Sequence, residues 1–149
     1  MSIKNILQSE LVFAKQKVAS KKRVLENIAS IASDRLHCDK AVVYDALLAR
    51  EKLGSTGVGK GIAVPHCRLE EANKTAIVLL SLEHPIDFDS IDRQSVDLIF
   101  ALIVPPHECD AHLTTLGQIA EFAQNPDKLE ALRGAHSDQE LYTIFASII

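Results

Sequence analysis

Three features are scarce in this 149-residue chain: cysteine, long apolar runs and an excess of positive charge. It has three cysteines and no C-x-x-C pair, which excludes a small fold held together by disulfides. No apolar run reaches the length of about 18 residues that is typical of a membrane-spanning helix, so we expect no membrane insertion. The net charge of −4 argues against a nucleic-acid partner, which would need clustered Lys and Arg.

The N-terminal stretch MSIKNILQSE lacks the apolar core and cleavage site of a secretory signal peptide. Together with the unpaired cysteines, this absence favours a reducing cytoplasm. Internal repeats, low-complexity segments and linkers are also absent. Hydrophobic residues make up 47% of the chain and charged residues 24%, as in an average globular protein. We therefore expect one domain over residues 1–149.

Capping residues predict helices in both outer thirds of the chain. Gly54 supplies a stop for the second helix after about Leu53, and apolar residues recur every three to four positions in the first. The stretch from Lys15 to Arg23 is the most basic one, and we interpret it as a solvated face or docking patch at a helix start. The predicted capping residues, in chain order, are Ser20, Asp39, Asp110, Asn125 and Ser137.

Apolar runs in the middle of the chain predict strands at Ile62–His66, Thr75–Leu82 and Val96–Val104. The second and third runs are nearly continuous, which is typical of strands covered on both faces. A polar turn region, Asp87–Gln94, separates them. Helices first, strands next and helices last indicate an α/β fold: a single-domain layered sandwich with a central mixed sheet flanked by helices.

The segment Gly54–Gly61, GSTGVGKG, nearly matches the nucleotide-binding pattern G-x-x-x-x-G-K-[ST]. That loop follows a strand and opens a helix, whereas this segment leaves a helix and enters a strand. Gly61 also stands where the pattern needs a magnesium-binding Ser or Thr. The sequence therefore argues against nucleotide binding. Four glycines in eight residues remain compatible with backbone N–H groups that approach another anion, with hydroxyl donors from Ser55 and Thr56.

Three residues are placed unusually for their type. Arg50 continues the apolar stripe of Val43 and Leu47 on the second helix, although arginine is seldom buried without a partner. His66 ends the strand that leaves the glycine segment, and His112 lies in the first turn of a C-terminal helix. Each also has an ordinary structural explanation: Arg50 could cover apolar surface or pair with an acid, and each histidine could pack at the edge of the core. Their spacing in the sequence does not show whether the three meet.

The stretch Glu51–Cys67, EKLGSTGVGKGIAVPHC, resembles the active-site signature of fructose/mannitol-type enzyme IIA domains of the bacterial phosphotransferase system. The segments LLAREKLGSTG, DLIFALIVP and HLTTL are most similar to the stand-alone, nitrogen-regulatory type. The resemblance spans essentially the whole chain. Cys67 departs from it where glycine is more usual, and Lys60 departs where asparagine is frequent. A thiolate at Cys67 would add redox sensitivity if nearby cations favoured it.

The resemblance implies that His66 accepts a phosphoryl group from a phosphorylated HPr-like carrier protein of the NPr type. Attack would come from the neutral ring through Nε2. Arg50 would stabilise the transferring group and His112 would orient it, since catalysis of phosphoryl transfer is mostly positioning and charge stabilisation. We expect phosphate-binding contacts from four residues of the glycine segment, and no cofactor, metal or nucleotide is required. These four residues are Ser55, Thr56, Gly57 and Gly59.

Three functional interpretations stay open at this point. A regulatory component would use the phosphorylation state of His66 to control docking to targets such as sensor kinases or potassium-handling proteins. A sugar-transport component would pass the phosphate to a separate IIB protein. A metal-binding protein would use soft and borderline ligands that lie at two places in the sequence. These candidate ligands are His66, Cys67, His107, Cys109 and His112.

Overall fold

The computed structural model of the chain describes residues 2–149, with the backbone alone for residues 109–112. Its helices, apart from a 3-10 turn at Ser9–Leu11, are α1 (Ile3–Ile6), α2 (Lys21–Leu36), α3 (Lys40–Lys52), α4 (Cys109–Phe122), α5 (Pro126–Arg133) and α6 (Asp138–Ile148). Its strands are β1 (Val12–Gln16), β2 (Gly57–Gly59), β3 (Ile62–Ala63), β4 (His66–Arg68), β5 (Ala76–Ile86) and β6 (Val96–Val104).

Over the described residues, these strands form one six-stranded mixed sheet in the order β1-β5-β6-β3-β2, with β4 also paired to β6. Strands β5 and β6 form a long antiparallel hairpin at its centre. Strand β1 pairs with β5 in parallel, and β3 and β4 run parallel to successive parts of β6. The predicted α/β class with a mixed sheet flanked by helices is therefore confirmed.

Alternate residues of the central strands face two separate clusters of buried side chains. Val78 and Leu80 of β5 pack with α2 and α3, in what we call the α2–α3 core. Ile77 and Leu79 pack with α4, α5 and α6, in the α4–α6 core. Because both faces are covered, β5 and β6 need apolar residues at successive positions, which explains their continuous apolar runs.

Four of the predicted helix caps form as expected. The Ser20 hydroxyl accepts from the Arg23 N–H, and the Asp39 carboxylate accepts from two N–H groups at the start of α3. Asn125 and Ser137 cap α5 and α6 in the same way. These contacts satisfy N–H groups that have no partner within their own helix.

The fifth predicted cap is wrong, because α4 begins at Cys109 and Glu108 occupies the capping position. The Glu108 side chain makes no capping hydrogen bond. Its carboxylate instead accepts from the Thr75 N–H at 2.9 Å and from the Thr75 hydroxyl at 2.5 Å. These contacts tie the start of α4 to the residue before β5.

The basic stretch agrees only in part with its interpretation as a solvated helix start. Lys21, Lys22 and Arg23 begin α2, and Lys22 and Arg23 are exposed, but the first part of the stretch is not helical. Lys15 lies in β1, where its N–H donates to Ser81 Oγ at 2.8 Å and its ammonium donates to the Arg133 carbonyl at 2.6 Å. Its φ of 52° coincides with a register shift in the pairing of β1 with β5. The shift interrupts the alternation by which a strand is recognised in a sequence.

The predicted strand Ile62–His66 is divided in two. Strand β3 ends at Ala63, and His66 begins β4 instead of ending the strand before it. The Pro65 carbonyl still accepts from the Leu102 N–H at 2.9 Å, so β6 holds both pieces in line. Pro65 has no N–H for the sheet ladder, which accounts for the break between them.

Among residues 2–149, no helix combines the length and the apolarity needed to cross a bilayer.

Candidate active site at the end of helix α3

Arg50 reaches the site from the last turn of α3. Val43 and Leu47 on the same stripe are buried in the α2–α3 core, and this packing directs Arg50 toward the segment that follows the helix. Its guanidinium Nη1 donates to the Gly54 carbonyl at 2.8 Å, and Nε donates to His66 Nε2 at 3.2 Å. Arg50 and His66, sixteen residues apart, therefore meet, which their spacing in the sequence did not show.

The His66 ring has a defined arrangement of its proton and lone pair. Its Nδ1 lies 2.9 Å from the Val64 carbonyl oxygen. A carbonyl oxygen only accepts hydrogen bonds, so Nδ1 carries the proton and Nε2 carries the lone pair. Arg50 Nε donates to that lone pair. The nucleophilic nitrogen of a neutral imidazole is thus the one that faces the guanidinium.

Burial lowers the pKa of His66 below its ordinary value of 6.5, because a charged ring would lose hydration. The positive charges of Arg50 and Arg68 lower the pKa further. The Val64 carbonyl and the Glu51 carboxylate oppose these effects, but the net direction is downward. His66 is therefore neutral at pH 7, the state in which its ring can act as a nucleophile.

The glycine segment is a tight hairpin in which β2 and β3 pair antiparallel. Its two turn residues, Lys60 and Gly61, have φ values of 59° and 78°, as a two-residue turn between twisted strands requires. A Cβ on Gly57 would lie 2.2 Å from Ser90 Oγ, and one on Gly61 would lie 2.4 Å from Arg133 Nη2. The glycines thus serve the turn and the close approach of neighbouring segments.

The two hydroxyl groups predicted to bind phosphate already donate to protein acceptors. Ser55 Oγ donates to the Phe88 carbonyl at 2.6 Å and accepts from the Gly57 N–H at 3.0 Å. Thr56, which is buried, donates its hydroxyl to Glu51. The phosphate-binding role of Ser55, Thr56, Gly57 and Gly59 stays a prediction.

His112 lies in the first turn of α4, but its side chain is outside the described part of the chain. Its role in the site, and its convergence with Arg50 and His66, stay predictions. The same limit applies to the proposed metal ligands Cys109 and His112. Within the described residues, no group of three or more His, Cys, Asp or Glu side chains could hold a metal ion.

The condition for redox sensitivity at Cys67, a favoured thiolate, is not met. The side chain is buried in the α2–α3 core, and this burial raises the pKa of its thiol to about 12. A reactive cysteine needs a thiolate near neutral pH. Cys67 is therefore a small packing residue beside His66.

One buried neighbour of the candidate site was missed by the sequence reasoning. Glu51 is buried, and its carboxylate accepts from the Thr56 N–H at 3.2 and 3.3 Å and lies 2.7 Å from Lys21 Nζ. The signal in the sequence is its position four residues after Leu47, which puts an acid on the inward stripe of α3. Such an acid must find a cation or several N–H donors.

Comparison with known proteins identifies the family and the relatives of this chain. Residues 5–148 match the family model described as phosphoenolpyruvate-dependent sugar phosphotransferase system, EIIA 2. A nitrogen regulatory protein from Klebsiella oxytoca is 44% identical over 97% of this chain and 90% of its own length. The crystal structure of nitrogen regulatory protein IIA-Ntr from Neisseria meningitidis superposes with a TM-score of 0.89 at 33% identity, covering 95% of this chain and 97% of that one.

A sugar-specific relative is less similar. The fructose-specific EIIA component of Haloferax volcanii is 30% identical over 99% of this chain and 96% of its own length. The higher identity of the nitrogen regulatory relatives supports a regulatory component over a sugar-transport component. Family membership implies phosphoryl transfer and partners such as phosphocarrier proteins. The chain thus belongs to the EIIA 2 family of the phosphoenolpyruvate-dependent sugar phosphotransferase system.

Proposed function

We propose that the chain accepts a phosphoryl group on Nε2 of His66 from a phosphorylated HPr-like carrier of the NPr type, and that it acts mainly as a regulatory component. The observation that carries this proposal is the orientation of the ring. Its Nδ1 proton is held by the Val64 carbonyl, and its Nε2 lone pair faces Arg50 at 3.2 Å.

The reaction exchanges one phosphorus–nitrogen bond for another. The Nε2 lone pair attacks the phosphorus atom of the donor's phosphohistidine, and the donor nitrogen leaves with the electron pair of the broken bond. The transition state is loose and spreads negative charge over three equatorial oxygens. No metal or nucleotide is required, because the phosphoryl group arrives already activated on nitrogen.

Arg50 must change partners during this reaction, because its Nε–H occupies the lone pair that attacks. The second contact, from Nη1 to the Gly54 carbonyl at 2.8 Å, keeps the guanidinium at the site when the first contact breaks. The released Nε–H can then donate to an equatorial oxygen of the transferring group. Charge-assisted donors of this kind are stronger than neutral ones.

Three exposed apolar side chains in and near the glycine hairpin support docking of a protein donor. Leu53, next to Gly54, is 85% exposed, and Val58 in β2 is 57% exposed. Ile91, in the loop that contacts the hairpin through Ser90 and Asp92, is 88% exposed. Apolar side chains exposed together mark protein interaction sites more often than isolated ones do.

For the regulatory role, the phosphoryl group itself is the proposed signal. It adds about −1.5 to −2 charges and three strong acceptors at pH 7. Added at His66, this charge would decide which partner docks at the site. Sensor kinases and potassium-handling proteins are the candidate targets. We also propose that residues 1–149 work as one domain in the cytoplasm, where the proposed donor would be available.

The alternative function is sugar transport, and the fructose-specific relative favours it. In that case His66 would pass its phosphoryl group to a separate IIB protein. Incubation of the phosphorylated chain with a fructose-type IIB protein separates the two functions. Transfer to the IIB protein would favour transport, and retention of the label on this chain would favour regulation.

The test of the proposed function is intact mass after incubation with phosphoenolpyruvate, enzyme I and the phosphocarrier. We expect the wild type to gain the mass of one phosphoryl group, which acid removes, and we expect His66→Ala to gain none. His136→Ala, at an exposed histidine before α6, is the matched control and should gain the group. A wild type that gains no mass beside a carrier that does would contradict the proposal.

A further inference from the structure

The proposed function leaves one buried acid without a role. Glu51 lies in the last turn of α3, next to Arg50 in the sequence, and its side chain is only 3% exposed. Its carboxylate is 2.7 Å from the ammonium group of Lys21, the first residue of α2. A buried carboxylate is retained only where charges and hydrogen bonds compensate for its lost hydration.

The second partner of Glu51 is Thr56, two residues after Gly54. The carboxylate accepts from the Thr56 N–H at 3.2 and 3.3 Å, and also from the Thr56 hydroxyl. Thr56 is itself buried, so both of these polar groups depend on a protein partner. Glu51 thus fixes the start of the glycine hairpin against the end of α3.

From Thr56 the hydrogen bonds continue to the acceptor ring. The Thr56 carbonyl accepts from the Val64 N–H at 2.9 Å, and the Val64 carbonyl lies 2.9 Å from Nδ1 of His66. On the other side of the ring, Arg50 contacts Nε2 and the Gly54 carbonyl. Glu51 is therefore linked to both partners of the His66 ring. It is the chain neighbour of Arg50, and hydrogen bonds through Thr56 join it to Val64.

We propose that the Lys21–Glu51 pair positions the acceptor histidine by holding Thr56, and through Thr56 the Val64 carbonyl that keeps the His66 proton on Nδ1. This inference rests on the proposed phosphoryl transfer. Glu51 touches no reacting atom in this scheme, so it is a positioning residue. Lys21 also lies 3.5 Å from Asp89, and it stacks on the Phe88 ring at 5.1 Å. The loop that follows β5 is thereby joined to the same unit.

The test combines ring NMR with transfer kinetics for Glu51→Gln. Ring ¹⁵N shifts of His66, recorded without donor, report which nitrogen carries the proton. We expect the Nδ1–H fraction to fall and the transfer rate to drop about 10- to 100-fold, as for a small misplacement of a reacting group. KM for the phosphorylated carrier should stay within about twofold, because donor docking does not use Glu51.

Glu26→Gln is the matched control, since Glu26 makes an exposed pair with Arg23 on α2, at 3.1 Å. It should leave both the ring spectrum and the transfer rate unchanged. If Glu51→Gln does not fold, Thr56→Val and Thr56→Ser make the same test without removing the charge. Loss of the Nδ1–H fraction in Thr56→Val and its recovery in Thr56→Ser would support the inference.

An unchanged ring spectrum in Glu51→Gln, or in Thr56→Val where Glu51→Gln does not fold, would overturn the inference. A transfer rate that falls only in proportion to the unfolded fraction would also overturn it. In that case the Lys21–Glu51 pair would stabilise the fold without positioning His66. A wild type that accepts no phosphoryl group would overturn the proposed function instead. The ring spectra would still show whether the pair holds the proton, because they need no donor.

Discussion

The end of α3 carries polar contacts to His66 and Thr56, whereas the α4–α6 core is filled with apolar side chains. At the end of α3, Arg50 contacts His66 and Glu51 contacts Thr56. In the α4–α6 core, three phenylalanines pack with ring centroids 5.2 to 5.8 Å apart; they are Phe100, Phe122 and Phe145. The contrast teaches that substitutions at the end of α3 should change chemistry, and substitutions within the α4–α6 core should change stability.

The largest expected effect comes from Arg50→Ala. The rate of phosphoryl transfer should fall about 10³-fold or more, because a cation that stabilises the transferring group is lost. The midpoint of thermal unfolding should change little. Single-turnover transfer from the phosphorylated carrier measures this rate. Lys52→Ala, an exposed cation in the same helical turn, is the control. Equal rates for the two variants would remove Arg50 from the mechanism.

Phe145→Ala makes the opposite prediction for the α4–α6 core. Phe145 is fully buried against Phe100 and Phe122, so its truncation should lower the free energy of unfolding by about 3–5 kcal/mol. The transfer rate per folded molecule should stay at the wild-type value. Denaturant unfolding and transfer kinetics test the two parts. Thr143→Ala, exposed on the same helix, should be nearly neutral. A lower transfer rate per folded molecule of Phe145→Ala would contradict the expectation that this core affects stability alone.

The pH dependence tests the electrostatics around His66. Burial, Arg50 and Arg68 lower the pKa of His66, so the folded protein binds this proton less readily than the unfolded chain. The contribution of neutral His66 to the free energy of unfolding is fully present above 6.5, the pKa of this side chain in the unfolded chain. It is lost as the pH falls through the lower pKa of the folded protein. Ring NMR should show the folded titration below 6.5 and a shift to higher pH in Arg50→Ala. A wild-type titration above 6.5 would contradict this account.

The smallest effect is expected at Cys67. Burial raises the pKa of its thiol to about 12, so iodoacetamide at pH 8 should leave it unmodified in the native protein. The same thiol should react when the protein is unfolded, which serves as the control. Peptide mass spectrometry locates the alkylated residue. Rapid native labelling of Cys67 would show a thiol exposed beside His66, contrary to its buried position.

The candidate site could be predicted in part. The apolar stripe of α3 indicated Arg50, and the resemblance around the Pro65–His66 pair indicated the proposed acceptor. The explanation of the glycines was incomplete. A side chain at Gly57 would collide with Ser90 and one at Gly61 with Arg133, and both of these residues lie far away in the sequence. Glu51 lies on the inward stripe of α3, four residues after Leu47, but the sequence does not show whether an acid there finds the cation and N–H donors that burial requires.

The sequence by itself determined the caps of α2, α3, α5 and α6 and the doubly buried strands β5 and β6. Those signals come from hydrogen bonds within a few residues and from apolar runs, so they act locally. Only the tertiary structure decided that Val12–Gln16 is a strand, because its partner β5 lies some sixty residues later. It also decided that Arg50 and the Val64 carbonyl hold His66 from opposite sides. Hydrogen bonds of that kind require two segments to be packed against the same sheet, which no local pattern in the sequence specifies.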